Sequence, residues 1–142
     1  MFTYSFRWDI IATNLPFLMS GLQTTLIVSA LTLVLAMMGG LVLASLDMSR
    51  YWPLRAIGIG FGEIVRNTPI LVQLLWAYYV LPIVFGINLS AFAALVIGLS
   101  IYSSAFIGEV YRAGIQAVPK GHREAAQVLG MTPFQSCLLY TS

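Results

Sequence analysis

Hydrophobic positions dominate this chain in two long runs that contain no charged side chain. One run lies between Asp9 and Asp47, and the other lies between Arg66 and Glu109. Roughly 20 apolar residues cross the hydrocarbon core of a bilayer as a helix, and the second run is long enough for two crossings. The stretch LPIVFGINLS at residues 81–90 interrupts that run with proline, glycine and asparagine. The pattern predicts three transmembrane helices, over about 18–46, 57–81 and 90–111.

Composition also indicates a membrane protein. Hydrophobic residues make up 59% of the chain and charged residues only 8%, whereas about a quarter of the residues in a soluble domain are charged. The expected fold is an all-α integral membrane helical bundle. Residues 1–17 are expected to be an N-terminal interfacial segment, because Phe2, Tyr4, Phe6 and Trp8 resemble an aromatic anchor at the membrane surface. This start lacks the features of a removable signal peptide.

Basic residues indicate the orientation of the helices. Short cytoplasmic loops carry an excess of lysine and arginine. The first predicted loop contains Arg50 and Arg55, the second contains none, and the third contains Arg112, Lys120 and Arg123. The N-terminus is therefore expected outside the cell, and the loop at 112–135 is expected in the cytoplasm.

The stretch GHREAAQVLGMTP at residues 121–133 predicts one short helix and the start of another. His122–Leu129 has helical character, and Gly130 occupies the position of a left-handed C-terminal cap. Thr132, just before a proline, is a candidate N-cap of the next helix. The small side chains in the first helix would let a partner protein approach closely, so the helix is a candidate binding surface. The alternative interpretation is an ordinary loop helix that packs on its own protein. A DNA-binding helix-turn-helix is disfavoured because FQSCLLYTS offers no lysine or arginine, so no nucleic-acid partner is expected.

The second predicted span contains a break. A helix from Pro69 to Leu81 would be about 20 Å long, too short for a hydrocarbon core of about 30 Å, so part of residues 56–68 must also lie in the membrane. Thr68 is a candidate N-cap with Pro69 following it. Broken helices expose backbone groups that bind solutes in several transporters, which makes Asn67, Thr68 and Gln73 candidate pathway residues. A proline kink that serves only packing is the alternative.

Two charged pairs repeat one spacing along the chain. Glu63 with Arg66, and Glu109 with Arg112, are three residues apart and can meet on one helix face. Ionisable groups near a span are costly and usually pair or face water. Two roles are open to the pairs: either their charges neutralise each other at the cytoplasmic boundary of the membrane, or they form a gate or contact the substrate.

Small residues in the spans have two interpretations. Ser100, Ser103 and Ser104 share one face of the third span, where they either permit close helix packing or line the solute pathway. Gly39 and Gly40 in the first span indicate packing. No phosphate-binding glycine loop is present. The sequence predicts neither a cofactor, a metal site nor a catalytic residue.

Three stretches together resemble a known family. GLQTTL at 21–26, VRNTPILVQLLWAYYVLP at 65–82 and FIGEVYRAGIQAVPKGHREAAQVLG at 106–130 are similar to the permeases of bacterial ABC importers for polar amino acids such as histidine, glutamate, glutamine and aspartate. The resemblance runs from about residue 15 to 135. It implies a partial ABC type-1 transmembrane domain over 18–142. The cytoplasmic loop at 112–135, called the EAA loop after its residues 124–126, would dock on the ATPase. The residues implied in that coupling are Gly121, Glu124, Ala125, Ala126 and Gly130.

The resemblance also implies partners and a cellular place. A permease of this family works in the bacterial inner membrane with ABC ATPase subunits, a second permease subunit in a homo- or heterodimer, and a periplasmic or surface substrate-binding protein. It carries a polar amino acid and catalyses no reaction itself. Such permeases resemble one another in having about five spans, and CLLYTS at 137–142 does not look like the family continuation. We therefore expect a C-terminally truncated copy, and the alternative function is a non-transporting membrane fragment or an ATPase-docking assembly factor.

Overall fold

The computed structural model of the chain describes residues 8–119, 121 and 128–131. Its described part is all-helical, which confirms the predicted fold class. The elements are α1 (Trp8–Thr13), α2 (Leu15–Asp47), α3 (Trp52–Asn67), α4 (Ile70–Leu75), a π-helical turn (Trp76–Val80), α5 (Leu81–Phe85) and α6 (Ala91–Gln116). Two of these helices, α2 and α6, are long and apolar enough to cross a membrane. The helices on either side of residue 68 provide a third crossing if the bent pair counts as one.

Helix α2 is much longer than one membrane crossing needs. Its 33 residues correspond to about 50 Å, compared with a hydrocarbon core of about 30 Å. Residues 13–27 are exposed throughout. Beyond them the buried positions recur at every fourth residue, at Val28, Thr32, Ala36, Gly40 and Ala44. This spacing gives α2 a single narrow contact stripe in its second half.

Small residues let α2 and α6 approach closely along this stripe. A Cβ atom added at Gly39 would lie 2.9 Å from Cβ of Ser104, and one at Gly40 would lie 3.0 Å from the backbone nitrogen of Gly108. A Cβ atom at Gly108 would lie 3.1 Å from the carbonyl oxygen of Gly40. The packing interpretation of the two glycines in the first span is therefore confirmed. Residue numbers rise together along both helices, so α2 and α6 run parallel.

The predicted break in the second span is confirmed. Helix α3 ends at Asn67, the helices that follow begin at Ile70, and the two segments meet at 104°. The residue before a proline avoids helical geometry, and Thr68 is extended with φ −97° and ψ 127°. Most of the change in direction therefore occurs at the Thr68–Pro69 step.

The prediction that Thr68 caps the following helix is wrong. Its hydroxyl donates instead to the carbonyl oxygen of Ile64 at 2.8 Å, one turn back in α3. Pro69 is the N-terminal boundary residue of α4, which has no side-chain cap. Threonine can bond to the carbonyl four residues earlier as readily as it can cap, and local sequence does not decide between these uses.

A second interruption, at residues 86–90, separates α5 from α6. Gly86 is left-handed with φ +66°, a conformation that glycine adopts without steric cost, and its N–H donates to the carbonyl oxygen of Pro82 at 3.0 Å. Ser90 then caps α6, because its hydroxyl accepts from the N–H of Ala93 at 3.2 Å. The interruption is predicted at residues 81–90, but Leu81–Phe85 forms α5, so the gap between the helices is residues 86–90.

Candidate functional site

The two predicted charged pairs join into one group where α3 meets α6. The Arg112 guanidinium donates a hydrogen bond to the Glu109 carboxylate, and Glu63 lies 4.0 Å from Arg66. Between the pairs, Nη1 of Arg66 lies 3.7 Å from Oε2 of Glu109. We call Asp47, Glu63, Arg66, Glu109 and Arg112 the charged cluster. Its central contact, between Arg66 and Glu109, joins α3 to α6. Each of the two pairs predicted from the sequence lies within a single helix.

Arg66 is held on α6 by more than its charge. Its Nη1 also donates to the carbonyl oxygen of Ala105 at 3.2 Å, and its side chain is only 24% exposed. Arg66 lies in the last turn of α3, where a cation interacts favourably with the helix dipole. The end of α3, immediately before the break, is thereby fastened to α6 by a hydrogen bond and an ion pair.

Asp47 is a member of the cluster that the sequence analysis did not select. Oδ1 of Asp47 and Nε of Arg112 are buried without a hydrogen-bond partner among the described residues. The charges of Arg112, Arg66 and Arg55 attract the Asp47 carboxylate, and that of Glu109 repels it. The sequence marks Asp47 as the charged residue that ends the first uncharged run. It does not predict which residues Asp47 approaches, because Glu109 and Arg112 are more than 60 residues away in sequence. Asp47 brings the end of α2 into the cluster.

Polar side chains hold the break itself in its bent form. Nε2 of Gln73 donates to the carbonyl oxygens of Val65 at 2.7 Å and Thr68 at 3.1 Å. Nδ2 of Asn67 donates to the carbonyl oxygen of Glu63 at 2.8 Å. Pro69 has no N–H to donate to the carbonyl oxygen of Val65 four residues earlier, and the Gln73 side chain supplies a donor there. The three candidate pathway residues around the break therefore serve its backbone in this structure.

One cavity lies on the inner side of the bend, between α3, α4 and α6. It has a volume of about 540 Å³ and is lined largely by apolar side chains, among them Phe61 and Trp76. Thr68 and Gln73 supply polar groups to its wall, and Gly98 forms part of the opposite side. We call this space the break cavity.

A separate cavity of about 540 Å³ lies between α2 and α6 and includes Ser103. Ser29, Thr32 and Tyr102 share its wall. Ser104 does not line this cavity, because it is buried against Gly39 at the crossing of the two helices. Ser100 is also buried, and its hydroxyl donates to the carbonyl oxygen of Val96 at 2.6 Å. The structure thus separates the serines and places Thr68 and Gln73 in one cavity and Ser103 in the other, with Asn67 and Ser104 in neither.

The predicted coupling loop, at 112–135, overlaps α6, because this helix continues to Gln116 and includes residues 112–116. Gly130 is left-handed with φ +73°, the conformation predicted for it. At Gly121, no heavy atom of the described residues lies within 4 Å of the position that a Cβ atom would occupy. Glu124, Ala125 and Ala126 lie outside the described residues, as do the predicted N-cap Thr132 and the aromatic residues before Trp8. Their predicted structure and coupling role stay predictions.

Comparisons with known proteins agree on one family. The profile of the family described as "Binding-protein-dependent transport system inner membrane component" matches residues 36–140. The arginine transport system permease protein ArtQ of Bacillus subtilis (strain 168) is 35% identical over 118 residues, which are 83% of this chain and 54% of that protein. The glutamate/aspartate import permease protein GltK of Escherichia coli O157:H7 is 32% identical, over 96% of this chain and 64% of that protein.

Further similarity extends to a third relative and to a solved structure. The probable amino-acid ABC transporter permease protein y4tG of Sinorhizobium fredii (strain NBRC 101917 / NGR234) is 40% identical, over 92% of this chain and 59% of that protein. A crystal structure described as an amino acid ABC transporter with histidines superposes with a TM-score of 0.83 at 39% identity, over 94% of this chain and 62% of that chain.

The chain spans 54% to 64% of the length of these three relatives. The family profile nevertheless covers most of the chain, from α2 through the predicted coupling loop. The matched residues include the apolar helices, the parallel α2–α6 contact and the broken segment between these two helices. The chain therefore belongs to the family of binding-protein-dependent transport system inner membrane components.

Proposed function

We propose that this chain is a transmembrane permease subunit of an ATP-driven importer of polar amino acids. It forms part of the solute pathway and docks on the ATPase through the loop at 112–135. Family membership supports the proposal, as do the names of similar proteins, which describe transport of arginine or of glutamate and aspartate. The substrate of this chain is a polar amino acid in this proposal, with no single member of that class selected.

The orientation in the proposal has the N-terminus outside and the coupling loop in the cytoplasm of a bacterial cell with this chain in its inner membrane. Parallel α2 and α6 support it, because they bring Asp47 and Arg112 to the same end of the bundle. Arg50 and Arg55 follow α2 at that end. A concentration of arginine at one end is typical of the cytoplasmic side.

The contact between Arg66 and Glu109 is the observation that carries the coupling mechanism. The proposed coupling loop begins within the last two turns of α6, because residues 112–116 belong to both and Gln116 is less than two turns beyond Glu109. A movement of the loop, driven by ATP-dependent closure of the ATPase, would therefore displace the last turns of α6. Arg66 is fastened to those turns at Ala105 and Glu109. The displacement would reach the break one residue after Asn67 and change the bend.

The break cavity is the proposed site where this movement affects solute. Thr68 and Gln73 lie in its wall, and their amide and hydroxyl groups can exchange backbone partners for a polar solute when the bend changes. Ser103 lines the second cavity and is proposed to extend the path between α2 and α6. Glu63, Arg66, Glu109 and Arg112 act as a gate in this mechanism, since ion pairs can open and re-form during alternating access. Ser104 is retained as a packing residue next to the path.

The partners in the proposal are two ABC ATPase subunits, a second permease subunit, a periplasmic or surface substrate-binding protein and the lipid bilayer. This chain supplies no catalytic residue, because ATP hydrolysis belongs to the separate ATPase subunit. Gly121, Glu124, Ala125, Ala126 and Gly130 form the docking surface, where small side chains allow close approach and Glu124 contributes a charge.

Association with the cognate ATPase tests the proposal. Glu124→Arg combined with Gly130→Leu reverses the charge and replaces the left-handed glycine, so we expect the ATPase to be lost from a pull-down of the membrane-inserted chain. Gln127→Ala, a substitution in the same loop that keeps charge and backbone freedom, should leave the association unchanged. Retention of the ATPase by the double variant would contradict the docking role. ATPase binding without uptake, in a chain extended to the length of its relatives, would favour a docking factor over a transporter.

A further inference from the structure

The turn between α2 and α3 presents aromatic and basic side chains outward together. Tyr51 and Trp52 are 73% and 78% exposed, among the highest values for large side chains in the described part of the chain. Arg50 and Arg55 are exposed on either side of them. We call residues 50–55 the basic-aromatic turn. It lies between the first two predicted spans, and nothing in the proposed transport cycle uses it.

An apolar stripe continues outward from this turn along α3. Leu54, Ile57, Phe61 and Ile64 are 44%, 64%, 43% and 70% exposed, and their spacing places them on one side of the helix. Gly58, Gly62 and Val65, which lie next to this stripe around the helix, are buried against the bundle. Helix α3 thus has one face on the protein and another that requires an apolar environment. Because α3 meets the following helices at 104°, it does not continue their direction through the membrane.

The charge of this region has one sign. Arg50 and Arg55 are the charged residues between Asp47 and Glu63. Within the described part of the chain, neither guanidinium forms an ion pair within 4.0 Å. Two guanidinium groups that form no ion pair within this distance, beside exposed tryptophan and tyrosine, are complementary to an anionic layer that lies directly next to hydrocarbon. Tryptophan and tyrosine favour the headgroup level of a bilayer, and guanidinium groups bind phosphate in a bidentate manner.

We propose that the basic-aromatic turn binds the phosphate headgroups of anionic phospholipids. In this arrangement Arg50 and Arg55 contact lipid phosphates, Trp52 and Tyr51 lie at the headgroup level, and Leu54 and Ile57 contact acyl chains, whereas Phe61 and Ile64 further along α3 line the break cavity. The lipid thereby positions α3, whose other end carries Arg66 and adjoins the break. A protein partner on the same surface is the competing occupant, and it would show no preference among lipids.

Quenching of Trp52 fluorescence by brominated lipids tests the proposal. The whole chain, with Trp8→Phe and Trp76→Phe, is reconstituted in vesicles containing equal mole fractions of phosphatidylcholine and phosphatidylglycerol, and only one of the two lipids is brominated at a time. We expect brominated phosphatidylglycerol to report a local enrichment of at least about fivefold, the size expected for a single juxtamembrane cation at an anionic surface, of which the turn has two. High salt should remove the preference, because it screens exposed charges. Added inorganic phosphate at constant ionic strength should leave it unchanged, which separates a lipid headgroup from a free anion.

A second tryptophan provides the matched control. Trp76 is also exposed, at 55%, but it lies within the uncharged run between Arg66 and Glu109. A chain that retains only Trp76 should be quenched equally by both brominated lipids. Arg50→Gln with Arg55→Gln should abolish the preference at Trp52, whereas Arg50→Lys with Arg55→Lys should retain it. Equal quenching of Trp52 by the two lipids, or a preference that survives both high salt and the glutamine substitutions, would overturn the proposal.

Discussion

The α2–α6 crossing and the break between α3 and α4 hold the bundle together by different means. At the crossing, Gly40 and Gly108 approach so closely that even one added carbon would meet backbone atoms. At the break, Gln73 donates two hydrogen bonds to carbonyl groups, and Arg66 adds a hydrogen bond and an ion pair. Steric contact of this kind has one arrangement, whereas hydrogen bonds and ion pairs can exchange partners. The comparison assigns α2–α6 as the fixed part of the bundle and the break as the part that changes.

The largest effect is expected when the fixed part is overpacked. Gly40→Leu would place its Cβ 2.7 Å from Cγ2 of Ile107 and 3.0 Å from a backbone nitrogen, so about 3 kcal/mol of stability should be lost. Unfolding by a denaturing detergent, followed by circular dichroism, measures the loss. Gly60→Leu is the matched control, because no heavy atom of the described residues lies within 4 Å of its added Cβ. Equal stability of the two variants would contradict a crossing held by close approach.

A smaller effect is expected when the break loses its side-chain donor. Gln73→Leu keeps the approximate volume but leaves the carbonyl oxygens of Val65 and Thr68 without that donor, at a cost of about 1–2 kcal/mol. Amide exchange should accelerate at Val72 and Gln73, whose N–H groups donate to Pro69 at 3.0 Å and 3.3 Å just beyond the bend. Gln23→Leu on the exposed part of α2 should change neither stability nor exchange. Unchanged exchange in the Gln73 variant would mean that the proline alone maintains the bend.

Local sequence predicted the two interruptions because proline and left-handed glycine act on the backbone itself. Pro69 removes helical geometry from the residue before it, and Gly86 adopts a positive φ without steric cost. The same local rules failed at Thr68, where a capping bond and a bond to Ile64 were both available to one hydroxyl. Local patterns thus located the break but did not specify the hydrogen bonds that maintain it.

The charged cluster and the serines show what required the tertiary structure. Helical spacing predicted the pairs Glu63–Arg66 and Glu109–Arg112, but the contact between Arg66 and Glu109 depends on how α3 packs on α6. Similarly, Ser103 and Ser104 share a helix face in the sequence. The rotation of α6 relative to α2 places Ser103 in the wall of a cavity and buries Ser104 at the crossing.

The central claim is that movement of α6 reaches the break through Arg66. The most direct measurement is the distance between spin labels at Ile57 and Val84, which are 64% and 61% exposed on opposite sides of the bend. In a chain extended to the length of its relatives and assembled with its ATPase, ATP should change this distance by about 1–2 Å or more, the scale of helix shifts in switching proteins. Arg66→Gln should abolish the change. Glu63→Gln should reduce the change far less than Arg66→Gln does, since Glu63 lies at 4.0 Å from Arg66 with its side chain 62% exposed. A distance that responds to ATP equally with and without the Arg66 guanidinium would contradict the account.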